Sequence, residues 1–205
     1  MLTDDVRAFV RAALPSPPAH VLEVGAGSGE LAAELRGGGY EVTAVDPAAD
    51  EGSDVVRAAL LDVRGSFDAA LAVISLHHVE PLEDSCAHLA TLLGAGAPLV
   101  VDEFDVERLD ERAATWWLCQ RRAVGAADEH EPAGLIAFMR HHVHALSAMR
   151  EALAPHFLQG EPVGVPYLHR WNLEPGLRDV EQHLIATGRL PATGARWIAT
   201  RRAAT

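Results

Sequence analysis

The sequence predicts one α/β domain, built on a doubly wound, mainly parallel sheet with helices on both faces. Residues 21–24 form an apolar run that leads into glycines at positions 25, 27 and 29 and then into a helix-periodic stretch over residues 30–35. A second apolar run, residues 40–45, ends at Asp46. Strand, glycine turn, helix and strand in this order make a βαβ unit, and further apolar runs follow at ordinary βα spacing.

The other elements follow from periodicity and from the positions of glycine and proline. Thr3 is placed to cap a helix over residues 3–14, which Pro15 ends. Later apolar runs predict further strands, so that five parallel strands are expected in all. The remaining predicted elements are strands at 61–63, at 67–79 with its following loop and at 96–103, helices over 83–93, 107–126, 133–154 and 176–187, an extended segment over 162–173 and a last strand over 195–201.

Composition narrows the class of partner. The chain has 205 residues, 49% of them hydrophobic, which suits a single domain with a sizeable core. A formal net charge of −12 opposes binding to nucleic acid, and no apolar run is long enough to predict a membrane partner. The N-terminus has no signal-peptide pattern, so we expect a cytoplasmic protein. Lysine chemistry is excluded because the chain has no lysine, and two cysteines are too few to predict a metal site or a disulfide framework.

The glycine run predicts a nucleotide-binding loop at the carboxyl end of a strand. Its glycines permit a tight turn and a close ligand approach, and Ser28 is placed to cap the helix that follows. A dinucleotide-binding loop usually has its third glycine at the position of Glu30, so an NAD-dependent oxidoreductase is the less favoured alternative. Glu23 lies inside an apolar strand, where burial is costly unless a cation is nearby; a ligand with an ammonium group supplies one. Asp46 is placed to accept both hydroxyls of a ribose.

Five segments in order resemble the class I S-adenosylmethionine-dependent methyltransferases: Glu23-Val24-Gly25-Ala26-Gly27-Ser28-Gly29, the strand ending at Asp46, and the segments 61–63, 67–79 and 96–103. The resemblance covers about residues 20–104, the half expected to bind the cofactor. It implies a Rossmann-like sheet of seven strands with an antiparallel last strand, S-adenosylmethionine as cofactor and S-adenosylhomocysteine as product. It also implies methyl transfer to a small-molecule acceptor.

The resemblance implies roles for individual residues. Glu23 would receive the methionyl ammonium, Asp46 the ribose, and Asp62 the adenine amino group, while Val63 would offer its backbone N–H to the adenine ring. An acid that only caps a turn is the alternative for Asp62. The other residues expected around the cofactor are Gly25, Ala26, Gly27, Gly29, Pro47 and Ser75.

The acceptor side is expected in residues 1–14 and 107–154, which we interpret as a lid. His77 and His78 follow a strand end and are candidate bases for an oxygen acceptor, with packing as the alternative for both. Arg170 either holds an acceptor carboxylate or faces water. The residues expected to line the acceptor pocket are Trp117, His141, Tyr167 and His169.

Oxygen is the favoured acceptor atom because of the histidines, with nitrogen and carbon as alternatives. A protein of this fold that binds the cofactor without transferring a methyl group is the alternative function. We expect a monomer or a homodimer.

Overall fold

The computed structural model describes residues 2–126, 130–174 and 176–203, which contain a seven-stranded sheet in the order β2-β1-β3-β4-β7-β5, with β6 also paired to β7. The first four strands are parallel, whereas β7 is antiparallel to β4. Short strands β5 and β6 pair with successive parts of β7. The predicted Rossmann-like sheet with an antiparallel last strand is confirmed. The strands are β1 His20–Val24, β2 Glu41–Val45, β3 Ala69–Val73, β4 Pro98–Phe104, β5 Phe157–Gln159, β6 Val163–Val165 and β7 Gly194–Arg201.

Helices cover both faces of this sheet. Side chains alternate between the two faces of a strand, so Val21 and Leu22 of β1 enter different apolar cores. The core around Val21 contains α1 and α2, and the core around Leu22 contains α3 and α6. The helices are α1 Asp4–Ala13, α2 Glu30–Gly37, α3 Leu82–Leu92, α4 Glu111–Ala123, α5 Pro132–His142, α6 Leu146–Leu153 and α7 Leu177–Ala186. Short 3-10 turns lie at Leu60–Asp62, Leu76–His78, Val106–Arg108 and Leu168–Arg170.

The predicted strand at residues 61–63 is wrong. This segment is part of the turn Leu60–Asp62, and the sheet therefore has four parallel strands rather than five. Strand pairing near it is reduced to one isolated parallel bridge between Val45 and Val56. Leu60 is instead buried in the core around Leu22, and its carbonyl accepts the N–H of Val63 at 3.2 Å, which closes the turn. The sheet still has the expected seven strands, because β5 and β6 are two separate strands that both pair with β7.

The predicted helix over residues 133–154 is also wrong, since it is two helices with a break at Val143–Ala145. The backbone N–H of His144 donates to the carbonyl of His77 at 2.9 Å, outside its own helix. The His144 ring nitrogen Nε2 lies 3.0 Å from the carbonyl oxygen of Val79. These contacts fix an extended backbone that ends α5 and restarts the chain as α6.

Two predicted helix caps are absent. Thr3 precedes α1 but makes no side-chain capping hydrogen bond. Gly29, in a left-handed conformation, occupies the capping position of α2 that we expected for Ser28. Asp110 does cap its helix, α4, by accepting the N–H of Ala113 at 2.9 Å.

A third apolar cluster joins α4 and α5 to the end of β4 and to the turn Leu168–Arg170. Its aromatic members include Phe104, Trp117 and Tyr167. Helices α4 and α5 are thereby packed beside the carboxyl end of β4. Within the described ranges, no helix has both the length and the apolar character needed to cross a membrane.

Candidate active site

The candidate site lies where β1 is flanked by β2 on one side and β3 on the other. Ligand crevices form at such points because successive connections leave the strand ends in opposite directions. Two cavities open here and share Gly25 and Ile74 on their walls. The first cavity, about 490 Å³, is lined by residues that include Asp46, Pro47, Leu60, Ser75, His78 and Glu80. The second cavity, about 320 Å³, is lined by residues that include Leu2, Glu23, Ala26, Gly27, Glu30 and Arg170.

The glycine loop forms the boundary between the cavities. Gly25 has a φ of +68°, and a Cβ on it would lie 2.4 Å from the Cβ of Ser75. The position therefore requires glycine. Asp46 fastens the loop: its Oδ2 accepts the N–H of Gly27 at 2.9 Å and its Oδ1 accepts the N–H of Ala48 at 2.8 Å. A carboxylate has about four acceptor positions, so Asp46 retains capacity for a ligand.

Glu23 is a buried carboxyl group on the wall of the second cavity. Its Oε2 has no hydrogen-bond partner among the described residues. Burial raises the pKa of Glu23 to about 7, despite the opposing charge of Arg36. Such a group is costly to bury alone, and an ammonium group beside it would relieve that cost.

Ser75 and Ile74 form the junction between β3 and the next turn. Ile74 has a φ of +56°, which is uncommon for a β-branched residue, and its N–H donates to the carbonyl of Asp102 at 2.8 Å. Ser75 is buried on the wall of the first cavity, and its Oγ also lacks a partner in the described part of the chain. Glu103 holds the turn by accepting the N–H groups of Ser75 at 2.8 Å and Leu76 at 2.6 Å.

The two predicted catalytic histidines have different surroundings. His77 is buried, its Nδ1 lies 2.5 Å from Oε2 of Glu103, and it lines neither of the two cavities. His78 is exposed and lines the first cavity. Partial desolvation and the neighbouring His77 ring, 4.2 Å away between centroids, lower the pKa of His78. Of the pair, only His78 is placed to touch a ligand in these cavities.

Asp62 and Val63, both expected at the adenine, line neither cavity. Asp62 is exposed in its 3-10 turn, and Ala58, Ala59 and Leu60 line the first cavity instead. The N–H of Val63 donates to the carbonyl of Leu60 at 3.2 Å, so it is not free for an adenine ring. Both expectations depended on a third strand that would carry an acid to the sheet edge, and that strand is absent.

The four residues expected in the acceptor pocket line neither cavity. Trp117 and Tyr167 are buried in the aromatic cluster, where Trp117 stacks on Trp171 at 4.3 Å and Tyr167 on Phe104 at 4.7 Å. His141 is exposed on α5. His169, also buried, is paired with Glu181 at 2.8 Å. Trp117 and Tyr167 therefore belong to the apolar cluster at the end of β4, to which that strand contributes Phe104.

Sequence reasoning missed the two glutamates that build the turns beside the cavities. Glu181 accepts the N–H groups of Tyr167, Leu168 and His169 at 2.9, 3.0 and 2.9 Å, much as Glu103 holds residues 75–77. A signal was present for Glu103, since a charged residue near the end of an apolar strand needs a partner. Arg170, left undecided by the sequence, is buried and lines the second cavity.

These groups fit a ligand that combines a nucleoside with a zwitterionic amino acid. Unpaired buried oxygens of Glu23 and Ser75 line the cavities, and the missing side chain at Gly25 keeps the backbone accessible. A carboxylate beside a glycine loop suits a ribose. Among the described residues no group of three or more His, Cys, Asp or Glu is placed to hold a metal ion.

Comparisons with known proteins agree with this geometry. A family model described as a methyltransferase domain matches residues 2–149. A search of curated proteins gives no match.

Three solved structures illustrate the range of similar folds. An S-adenosylmethionine dependent methyltransferase from Mesorhizobium loti is 17% identical, with a TM-score of 0.62 over 98% of both chains. The 4+2 cyclase SpnF is 18% identical, with a TM-score of 0.62 over 98% of this chain and 81% of its own. The Burkholderia thailandensis 1,6-didemethyltoxoflavin-N1-methyltransferase, with 1,6-didemethyltoxoflavin and S-adenosylhomocysteine bound, is 20% identical, with a TM-score of 0.53 over 91% of this chain and 72% of its own.

At these identities the solved structures establish the fold. The family follows from the domain model, which matches well over half of the 205 residues and includes the glycine loop, Asp46 and the turn after β3. The chain belongs to the class I S-adenosylmethionine-dependent methyltransferases.

Proposed function

We propose that this protein transfers the methyl group of S-adenosylmethionine to an oxygen atom of a small-molecule acceptor, with His78 as the base. The observation that carries the proposal is the position of His78: an exposed imidazole with a lowered pKa on the wall of the first cavity. An oxygen nucleophile must lose its proton during or before attack, and a neutral imidazole is suited to accept it.

The cofactor placement follows from the two cavities. The adenosine occupies the first cavity, where Asp46 accepts the ribose hydroxyls and Pro47, Leu60 and Ala59 form apolar walls. The amino-acid end passes the glycine loop into the second cavity, where Glu23 receives the ammonium group. When bound, S-adenosylmethionine supplies a methyl group activated by a sulfonium.

The chain's own residues then align the acceptor, hold a proton and exclude water. His78 follows directly on the turn that Glu103 fixes, so its backbone position is set by buried hydrogen bonds. The ring of His78 makes no hydrogen bond within the described ranges and is available to an acceptor hydroxyl. We assign the exclusion of water to the expected lid: Leu2 lines the second cavity, and His144 contacts Val79 and Glu80 on the wall of the first.

The acceptor is a small molecule rather than nucleic acid. A net charge of −12 repels a phosphate backbone, and the cavities are open hollows of a few hundred Å³, the size of a small-molecule site. We expect the protein to act as a monomer or a homodimer.

Two alternatives share the fold. A nitrogen acceptor would need no base, as its lone pair can attack directly, and the Burkholderia thailandensis neighbour is a nitrogen methyltransferase. SpnF, which is a cyclase, illustrates that a protein of similar fold can have another activity. Neither alternative requires His78 to act as a base.

The test is a product assay with S-adenosylmethionine that carries a labelled methyl group. The purified protein is incubated with a panel of phenols, alcohols and amines, and products are identified by mass spectrometry. We expect a labelled methyl ether, and we expect His78→Ala to lose most activity and the rising limb of the pH–rate profile. His88→Ala is the matched control, because that histidine bonds the carbonyl of Val63 away from the cavities. A labelled methylamine, or full activity in His78→Ala, would contradict the proposal.

A further inference from the structure

We propose that Arg170 binds the carboxylate of the cofactor's amino-acid end, opposite Glu23 in the second cavity. This inference rests on the proposed placement of the cofactor. It adds a binding residue outside the glycine-loop half of the chain, on the turn between β6 and α7.

Arg170 is fixed in place from two sides. Its Nη1 donates to Oδ1 of Asp102 at 2.6 Å, and its side chain is 2% exposed. The turn that carries it is held by Glu181, which accepts three successive backbone N–H groups just before Arg170. A guanidinium held this firmly loses little further freedom when it binds an anion.

The guanidinium retains donor capacity. A guanidinium has five N–H donors, and Asp102 engages donors on Nη1 and, at 3.5 Å, on Nη2. The Nε of Arg170 is buried and has no partner among the described residues. An unpaired buried donor on a cavity wall indicates a ligand acceptor.

Arg170 shares its carboxylate partner with a second guanidinium group. Asp102 is shared with Arg196, whose Nη1 also lies 2.7 Å from Asp5 Oδ2, and Asp5 in turn pairs with Arg178 at 3.1 Å. Arg178 also pairs with Asp179 at 3.2 Å, so three guanidinium groups face three carboxylates in this connected network. Because Asp102 divides its two oxygens between Arg170 and Arg196, Arg170 keeps donors that can bind a ligand carboxylate.

The second cavity matches a zwitterion in its distribution of charge. Its charged lining residues are Glu23, Glu30 and Arg170. Glu30 already pairs with Arg7 at 2.6 Å, which leaves an unpaired carboxyl oxygen on Glu23 and an unpaired donor on Arg170. An α-amino acid presents one ammonium and one carboxylate a few bonds apart, so it can engage both residues at once.

An acceptor carboxylate is the competing occupant for Arg170. The second cavity favours the cofactor, because it is lined by Gly25, Ala26 and Gly27 of the loop and not by His78. An acceptor placed there would be separated from the proposed base.

The experiment compares three ligands that share the adenosine and differ at the sulfur atom and at the amino-acid end, and it compares each ligand between the variant and the unaltered protein. Calorimetry measures the binding of S-adenosylhomocysteine, of decarboxylated S-adenosylmethionine, which keeps the ammonium group, and of 5′-methylthioadenosine, which lacks both charged groups. We expect Arg170→Met to weaken S-adenosylhomocysteine by about 10-fold to 100-fold, as for a lost hydrogen bond to a charged group, and to change the other two less than about 2-fold. Arg196→Met is the matched control, because Arg196 shares Asp102 but does not line the cavity; it should affect all three ligands equally and slightly.

A second variant covers the case in which Arg170→Met does not fold. The double variant Asp102→Asn with Arg170→Met removes the buried carboxylate together with its partner, and the same selective loss is expected from it. Equal weakening of all three ligands, or unchanged binding of S-adenosylhomocysteine, would overturn the assignment to the carboxylate. If the unaltered protein binds none of the three ligands, the proposed cofactor placement fails instead.

Discussion

The carboxylate of Glu103 and the imidazole of His77 form a buried pair in which Oε2 lies 2.5 Å from Nδ1. Glu181 and His169 form a second such pair at 2.8 Å. In each case the same carboxylate also accepts consecutive backbone N–H groups of a 3-10 turn. The next residue after each paired histidine lines a cavity: His78 the first and Arg170 the second. Two glutamates thus position the two side chains to which we assign the base and the carboxylate anchor.

Replacing Glu103 should loosen the first of these turns. Glu103→Gln keeps the shape but replaces three charge-assisted hydrogen bonds with weaker ones, and we expect the free energy of unfolding to fall by about 1.5–3 kcal/mol. Urea denaturation measures it. Glu80→Gln, on a side chain 74% exposed, is the control and should change stability by less than about 0.5 kcal/mol. Equal small effects from both changes would mean that Glu103 does not fix the turn.

The second glutamate gives a prediction about acid stability. Burial raises the pKa of Glu181, but hydrogen bonds from the side chain and backbone of His169 and from Tyr167 and Leu168 outweigh it and hold the pKa below its usual value. A carboxyl group with a lowered folded-state pKa stabilises the protein above its unfolded pKa, and this contribution is lost as pH falls through the folded pKa. Glu181→Gln should therefore be less stable than the unaltered protein at neutral pH, with the difference shrinking below about pH 4.5. Denaturation at pH 7 and pH 4 checks it; a constant difference would contradict it.

Glu23 should behave in the opposite way. Its folded-state pKa is raised to about 7, so its protonated form favours the folded protein below the unfolded value of 4.5, and this contribution is lost as pH rises to about 7. Relative to Glu23→Gln, the unaltered protein should lose up to about 3 kcal/mol of stability between these pH values. Denaturation of both proteins across this range measures the difference.

The same carboxyl group links cofactor binding to pH. An ammonium group beside Glu23 favours its charged form, so S-adenosylhomocysteine should bind with release of a proton near pH 7 and more tightly as pH rises from 6 to 8. Calorimetry in two buffers of different ionisation enthalpy measures this release. Proton release that persists in Glu23→Gln would assign it to another group.

Asp46 should contribute directly to cofactor affinity. Asp46→Ala removes the proposed ribose acceptor and also frees the N–H groups of Gly27 and Ala48. We expect binding of S-adenosylhomocysteine to weaken by about 1.5–3 kcal/mol. Asp50→Ala, an exposed acid four residues later, is the control and should bind normally. An unchanged affinity in Asp46→Ala would mean that the ribose lies elsewhere.

The features that sequence predicted correctly are local ones. The glycine loop, β1, β2 and the acid at Asp46 lie within about thirty residues, and each has a residue type that the backbone itself requires, as at Gly25. The features that the sequence did not predict depend on contacts between residues that are far apart in the sequence. Glu103 acts on residues 75–77, and Arg170 contacts Asp102, which is 68 residues away. The turn at Leu60–Asp62 was not predicted for the same reason, because whether a short apolar segment joins a sheet depends on strands that are distant in the sequence.

Trp117 tests whether the aromatic cluster supports the site or contacts the cofactor. Its ring stacks on Trp171, its Nε1 donates to the carbonyl of Trp171 at 2.9 Å, and it is 4% exposed. Trp117→Ala should lower the free energy of unfolding by about 3–5 kcal/mol, as for a large buried aromatic, whereas Trp117→Phe should recover part of this loss. Because Trp117 lines neither cavity, the affinity of the folded variant for S-adenosylhomocysteine should change less than about 2-fold at a temperature well below its unfolding transition. Loss of affinity in a folded Trp117→Ala protein would instead place α4 against the cofactor and extend the cofactor site into residues 107–154.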